Sequence, residues 1–417
     1  MQQHGRIGEE IRQNILLSCS QYILDHDVSF QNDHAFSKLK ALAAEDVNIQ
    51  AILFGSPTIQ HSNMLSDKAI EALIAFSWYR CSNAKPSLEV AKHAVSMAKA
   101  FGDKRYIASS LWCLGMTYYY LGEFYAAYDH VQEAYRLYNA LLPSQKWYDL
   151  RKGFLSKKYG PLARTVTRSP GDRELHLLCC RCGIDMVDGA RMTFEDGDKV
   201  VSLARDVEKQ AATVLDDHIH ARSLIMLGSV LDEFGDRQEA LRHLERAKLM
   251  KISRSLSTGI YYWIALVHYH EKRLPEALDV AEETWKLSEP YNKLSNQALI
   301  SFLLGRILFS ANRDTEAWKY MEISLTKNLE LGNQRNSART LEYMGYGYLR
   351  RGDYLNAYGA YEAAAERYGE RQGCTTCKDN MAKIKDMQKN PDLNVGFERP
   401  RRDNNWPSLF YPGTASV

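Results

Sequence analysis

The sequence predicts an all-α fold, a right-handed α-solenoid of about six or seven stacked helical hairpins with capping helices at both ends. Three observations carry this. Five times a small residue, Gly or Ala, is followed twelve positions later by Ala: Gly115 and Ala127, Gly228 and Ala240, Ala265 and Ala277, Gly305 and Ala317, Gly345 and Ala357. Two helices joined by a tight turn pack closely only where neither puts bulk at their crossing, and the fixed offset sets one small residue on each helix there. The hairpins also recur: counted from seven positions before the small residue they start at Ala108, Ala221, Thr258, Ala298 and Ala338, the last four spaced by 37, 40 and 40 residues. Finally, the turns pair a helix-ending Gly or Asn with an acid at the next start, as in Gly122-Glu123, Gly235-Asp236, Asn312-Arg313-Asp314 and Gly352-Asp353.

Taken in order, residues 1–62 hold two apolar-periodic stretches, 7–24 and 35–54, and are expected to form an N-terminal helical cap. Residues 63–139 hold two hairpins. The first is degenerate, beginning near Ala72 with Trp78 and Tyr79 on one helix and Ala91, Val95 and Ala98 on the other; the second begins at Ala108. Residues 140–171 read as an insertion, broken by Pro143, Gly153, Gly160, Pro161, Pro170 and Gly171. The array resumes over 172–373, where 200–212 fits a second helix through Ala204 and Ala211. Asp236 with Glu239 reads as a capping box, and Pro275 sits where a first-turn proline is tolerated. Residues 374–390 are expected to form a C-terminal capping helix, and 391–417, rich in Pro, Asn and Arg, an extended or disordered tail.

Bulk composition excludes several classes. A chain of 417 residues exceeds the usual size of one core, but a repeat array escapes that limit because each unit buries its surface on its neighbours. A net charge of +2 with 25% charged residues supplies no global drive toward nucleic acid or an acidic membrane, so neither is expected as a partner. No apolar run approaches the ~20 residues that span a bilayer. Eight cysteines, several in apolar helical settings such as Cys81, Cys113 and Cys179, read as reduced thiols and point to a reducing compartment, cytosol or nucleus, with a cytoplasmic location expected.

Leu111, Leu114, Gly115, Tyr118, Ala127 and Ala134, with their counterparts Leu341, Met344, Gly345, Tyr348, Ala357, Tyr361 and Ala364, resemble the tetratricopeptide-repeat pattern position by position over roughly residues 67–369. More narrowly, residues 43–50 (AAEDVNIQ), 341–348 (LEYMGYGY) and 377–384 (CKDNMAKI) resemble the C-terminal repeat region of fungal (basidiomycete) NB-ARC signalling ATPases of the STAND/NLR class. That resemblance implies a sensor or regulatory arm. The nucleotide switch does not carry over, because no Gly-x-x-x-x-Gly-Lys-Ser/Thr nest for a triphosphate occurs. The chain is then either a repeat arm alone, truncated or separately encoded, or a free-standing adaptor of the same ancestry.

In tetratricopeptide arrays the first helix of each hairpin lines the concave face, with positions 2, 5, 9 and 12 facing the groove. Carried onto this sequence, the resemblance assigns Phe76 and Arg80; Trp112, Met116 and Tyr119; Ile225, Ser229 and Asp232; Tyr262, Leu266 and Tyr269; Phe302, Arg306 and Phe309; and Arg339, Glu342, Tyr346 and Leu349. Such an aromatic groove suits capture of a protein or peptide partner, since aromatic and Arg side chains dominate interface hot spots. Some of these aromatics belong equally well to the core between repeats. Positions 5 and 9 lack the Lys and Asn pair that grips a chaperone's terminal carboxylate, which argues against that mode.

No catalytic residues are assigned, because no nucleophile, base and oxyanion donor can be assembled by motif, and no cofactor is implied. Cys179 with Cys182 and Cys374 with Cys377 have Cys-x-x-Cys spacing, but the pairs are separated by nearly half the chain and His176-Leu177-Leu178-Cys179 is an apolar helix, so no metal site is expected. The alternative function resides in the insertion, where Lys146, Arg151, Lys152, Lys157, Lys158, Arg164 and Arg168 interleave with Tyr148, Phe154 and Tyr159 and offer a patch for RNA or another phosphate ligand. The tail carries Trp406, Leu409, Phe410 and Tyr411, which read as an untethered end or as an occupant of the groove.

Overall fold

The computed structural model describes residues 2–26, 35–54, 63–82, 85–142, 170–194, 196–214, 216–289, 294–369 and 373–389. Among them the chain forms helices α1 (Gln2–Asp25), α2 (Ala35–Phe54), α3 (Asn63–Ser82), α4 (Leu88–Phe101), α5 (Lys104–Leu121), α6 (Phe124–Leu141), α7 (Pro170–Thr193), α8 (Gly197–Ala212), α9 (Asp217–Phe234), α10 (Arg237–Lys248), α11 (Arg254–His270), α12 (Leu274–Ser288), α13 (Leu294–Ser310), α14 (Asp314–Glu330), α15 (Gln334–Arg350), α16 (Tyr354–Tyr368) and α17 (Gly373–Lys389). They pack as sequential hairpins, an all-α solenoid arrangement. Two compact units divide the chain, the first reaching to Met226 and the second starting at Leu227.

In the first unit α1 packs on α2 and α3, and from α3 to α8 each helix packs on the next. In the second, α10 to α17 do the same. The small residues do what the spacing requires. A methyl group added at Gly115 would stand 2.5 Å from Cγ2 of Val131 and 2.9 Å from the carbonyl oxygen of Ala127, so at this crossing the two backbones are in contact. The same relation recurs between Gly228 and Leu244, Gly305 and Met321, and Gly345 and Tyr361, each sixteen residues on. Ala127, Ala240, Ala277, Ala317 and Ala357 are all buried.

The two helices of a hairpin differ in what they bury. α6 hides one stripe, Ala127, Val131, Ala134 and Tyr138, as an outer amphipathic helix does. α13 is buried continuously from Ala298 to Phe309, packed by α12 and α14 and touching α11 and α15. First helices are thus interior and second helices cover them.

Turn chemistry agrees with the sequence at most sites. Gly122 and Gly352 take left-handed φ of 85° and 74°, and Asn312 takes 59°. Gly235 differs: it ends α9 without a left-handed turn, its N–H bonding the Leu231 carbonyl at 3.0 Å. Lys272 adopts φ 63° between α11 and α12, a position with no Gly or Asn to signal it. Asp236 accepts from the N–H groups of Gln238 and Glu239 at 2.8 and 3.1 Å, and Pro275 lies in the first turn of α12. α7 begins at Pro170, inside the span read as insertion, because proline is tolerated where helix N–H groups have no partner. Lys146, Arg151, Lys152, Lys157, Lys158, Arg164 and Arg168 lie outside the described residues, as does the tail 391–417.

Candidate binding surface

In the second unit the first helices α11, α13 and α15 bring Tyr269, Phe302, Arg306 and Arg339, which the repeat pattern assigns to one face, together with Tyr343, which it does not assign. Arg306 is the centre. The small neighbour Gly305 faces Met321 across the hairpin crossing, which directs the next residue away from the hairpin partner. The Arg306 guanidinium carbon lies 4.9 Å from the ring centre of Tyr269 on α11, 5.3 Å from Tyr343 on α15 and 5.7 Å from Phe302 one turn back on its own helix. Phe302 meets Tyr343 edge to face at 5.1 Å, and Arg339 lies 5.3 Å over the same Phe302 ring. Burial opposes the charge of Arg306, but Tyr343, Tyr269 and Tyr262 outweigh it and hold the guanidinium above its ordinary pKa. It is a permanently charged cation in an aromatic cage.

The remaining assigned residues of this unit are placed as follows. Tyr262, Leu266, Phe302, Phe309, Arg339, Glu342 and Leu349 are buried, while Tyr269 and Tyr346 are half-buried. Phe309 crosses Trp318 edge to face at 5.7 Å and presses on Gly347 of the next hairpin, where an added methyl would stand 2.8 Å from its Cζ. Glu342 accepts from the Tyr368 hydroxyl at 3.0 Å. Ser229 is buried, and Asp232 joins His270 Nδ1 at 2.6 Å and Arg237 Nε at 3.1 Å, tying α9 to α11.

In the first unit Phe76, Trp112, Met116, Tyr119 and Ile225 are buried. Arg80 is bonded through one nitrogen to both carboxylate oxygens of Asp46 on α2, at 2.8 and 2.7 Å. Trp112 packs edge to face on Trp78 at 5.2 Å and donates its indole N–H to Asp185 Oδ2 at 2.9 Å.

That last bond leads to charged residues the sequence reading did not assign. Arg181, Asp185, Asp188 and Arg191 of α7 share the interior with Arg222 of α9. Burial lifts Asp185 to about 7 against the pull of Arg222, and burial also raises Asp188, whose carboxylate lies 3.6 Å from Arg191. Burial and repulsion from Arg222 lower Arg181 to about 10. The available signal was the spacing of 181, 185 and 188, one helical face in an otherwise apolar run from Leu177 to Ala190.

Cys179 and Cys182 are buried thiols: burial pushes Cys179 to about 12 and Cys182 well up, and Cys179 Sγ contacts Asn139 Oδ1 at 3.3 Å. The Cys374 side chain lies outside the described residues. Among the described residues no group of three or more His, Cys, Asp or Glu gathers to hold a metal ion, and no helix is long and apolar enough to cross a membrane.

A solved Rap protein in complex with competence and sporulation factor superposes with a TM-score of 0.52 at 10% sequence identity, over 90% of this chain and 98% of that one. The fold is tetratricopeptide-like. Lower similarity, TM-score 0.44 in each case, is found with aspartyl phosphate phosphatase F of Bacillus subtilis (13% identity, 93% of this chain and 96% of that one) and with a signal-transduction ATPase bearing a tetratricopeptide sensor from Pyrococcus horikoshii (10% identity, 92% and 63%). No protein-family model and no curated protein sequence matches the chain. Within this tetratricopeptide-like array, α11, α13 and α15 gather Tyr269, Phe302, Arg306, Arg339 and Tyr343 into one aromatic and arginine cluster.

Proposed function

We propose that the chain is a non-catalytic interaction scaffold that captures a peptide or helix along the face built by the first helices of its hairpins. The observation that carries this is the cage of Tyr269, Phe302 and Tyr343 around Arg306, a combination of rigid aromatic area and a charged fork that suits interface anchoring. The complex of the similar Rap protein with competence and sporulation factor supports a bound partner for this fold. The half-buried Tyr269 and Tyr346 form the first contact, and the buried Tyr262, Phe302 and Phe309 form the wall behind them. By resemblance, the role is that of a cytoplasmic sensor or regulatory arm in an NLR-like system.

Truncating Tyr262, Phe302 and Phe309 together would remove core, at about 3–5 kcal/mol each, and so would test folding instead of binding. The informative variant is Tyr269→Ala with Tyr346→Ala. A displayed library of random 12-residue peptides is selected on the nuclease-treated wild type, and the selected peptides are then measured on this variant and on a protein lacking residues 146–168. Binding lost in the tyrosine variant at an unchanged circular dichroism spectrum, and kept without 146–168, is the expected result. Binding untouched by the tyrosine change sinks the groove reading. Loss only with 146–168, together with steep salt dependence, moves the function to phosphate or RNA recognition.

A further inference from the structure

Arg306 carries a charge that nothing described in the fold neutralises. It is 3% exposed, its Nε has no hydrogen-bond partner, and no carboxylate forms an ion pair with it among the described residues. Other arginines withdrawn from solvent are matched differently: Arg80 has Asp46 and Arg191 has Asp188. A buried cation without an ion-pair partner still lacks a full counter-charge, because the rings that stabilise Arg306 carry no formal negative charge at neutral pH.

The Tyr269 hydroxyl takes a hydrogen bond from the guanidinium, but Nε at its edge has no partner. A planar cation that meets rings with its face still points N–H donors outward in its own plane, in the fork that matches a carboxylate. We infer that Arg306 is the receptor for a carboxylate of the captured peptide. This rests on the peptide-binding reading above and names the group that site selects. The carboxylate comes from an Asp or Glu side chain or from the peptide's C-terminus. Either differs from the Lys and Asn clamp on chaperone tails, whose donors are missing here at the corresponding positions.

Access runs past Tyr269, the half-buried wall of the cage. Its hydroxyl meets Ser310 Oγ at 3.2 Å, and that same Ser310 hydroxyl donates to the Arg306 carbonyl at 2.9 Å. For a carboxylate to reach the guanidinium, Tyr269 must give up its contact with Ser310 and its hydrogen bond with Arg306. Because the cation is already stripped of water and held on three sides, the incoming carboxylate meets a preorganised partner.

The test uses the full chain and three pools of random seven-residue peptides: free C-terminal acids without Asp or Glu, C-terminal amides containing Asp or Glu, and C-terminal amides with neither. Wild type should retain one of the two carboxylate-bearing pools about tenfold or more over the third, and which pool wins names the source. Arg306→Gln should erase that preference and Arg306→Lys should keep part of it, with circular dichroism confirming both folds. Equal retention of all three pools by wild type overturns the inference while leaving peptide capture standing, and needs no variant to fold. A preference that survives in Arg306→Gln overturns it as well. No retention from any pool overturns both readings.

Discussion

The same chemical change at two glycines of one hairpin should have opposite effects. Gly347 lies on α15 and Gly359 on α16. Replacing either by Ala relieves the helix of a glycine, a gain of about 1 kcal/mol. At Gly359 nothing lies within 4 Å of the new methyl, so the gain stands. At Gly347 the methyl would meet Cζ of Phe309 at 2.8 Å, its Cε1 at 3.1 Å and Cζ2 of Trp318 at 3.2 Å. These are rigid rings with no slack, since Phe309 is crossed on Trp318 at 5.7 Å and Trp318 rests on Tyr348 at 4.4 Å. Overpacking of this kind costs about 2–3 kcal/mol, leaving a net loss of about 1–2 kcal/mol. For a unit of this size that is a fall of roughly 3–6 °C in melting temperature, against a rise of roughly 2–3 °C for Gly359→Ala. Scanning calorimetry with urea denaturation as a cross-check reads both in the same transition of the second unit. If Gly347→Ala stabilises as much as Gly359→Ala, Phe309 does not pack where one hairpin meets the next, and the wall of the proposed groove is misassembled.

Two further outcomes follow from buried titratable groups. Burial lifts Asp185 from 3.8 to about 7, so between those values the folded chain holds a proton that the unfolded chain has released; the stability from this group is present below about pH 4 and lost as pH rises through about 7. Urea denaturation should show stability falling across that window, and Trp112 fluorescence should titrate with it; Asp185→Asn should flatten both, and an unchanged slope would remove Asp185 as the cause. Burial raises Cys19 to about 11 and Cys81 and Cys179 to about 12, so in native protein at neutral pH these thiols should react with a disulfide reagent at least tenfold more slowly than in urea-unfolded protein. Comparable rates would place them at the surface.

The hairpin plan was legible because it is written in residue size. Gly115, Gly228, Gly305 and Gly345 precede Ala by twelve positions because close contact at the crossing leaves room for only a small residue, Ala at position 265 being the one departure from Gly. Turn chemistry was legible for the same local reason at Gly122, Asn312 and Gly352, and failed at Lys272, where the helix-closing bond of the Arg273 N–H to the His268 carbonyl at 3.0 Å goes with a left-handed backbone on a residue that does not favour it. The charged interior of the first unit was hidden. Arg181, Asp185 and Asp188 look like an ordinary solvated stripe until α5 and α9 cover it with Trp112 and Arg222, a long-range event with no local signature. Depth was hidden too. The pattern assigns Arg80, Phe302 and Arg306 to one kind of position, yet Arg80 meets a carboxylate from α2 and Arg306 meets only rings, because the pattern specifies direction along a helix and not what arrives from elsewhere in the chain.

The close crossing of the two helices within a hairpin also has a mechanical meaning. Glycine against a residue sixteen positions later closes a short loop, so the hairpin resists shear as a unit, while neighbouring hairpins meet through side chains. Pulled from its ends, such a chain should yield in discrete steps. The repeat of 40 residues between the hairpin starts Thr258, Ala298 and Ala338 of the second unit sets the size of each step, roughly 140 Å of released contour length at ~3.5 Å per residue. A tether under tension would therefore be lengthened by counted increments, a property that belongs to the spacing of a few glycines and alanines.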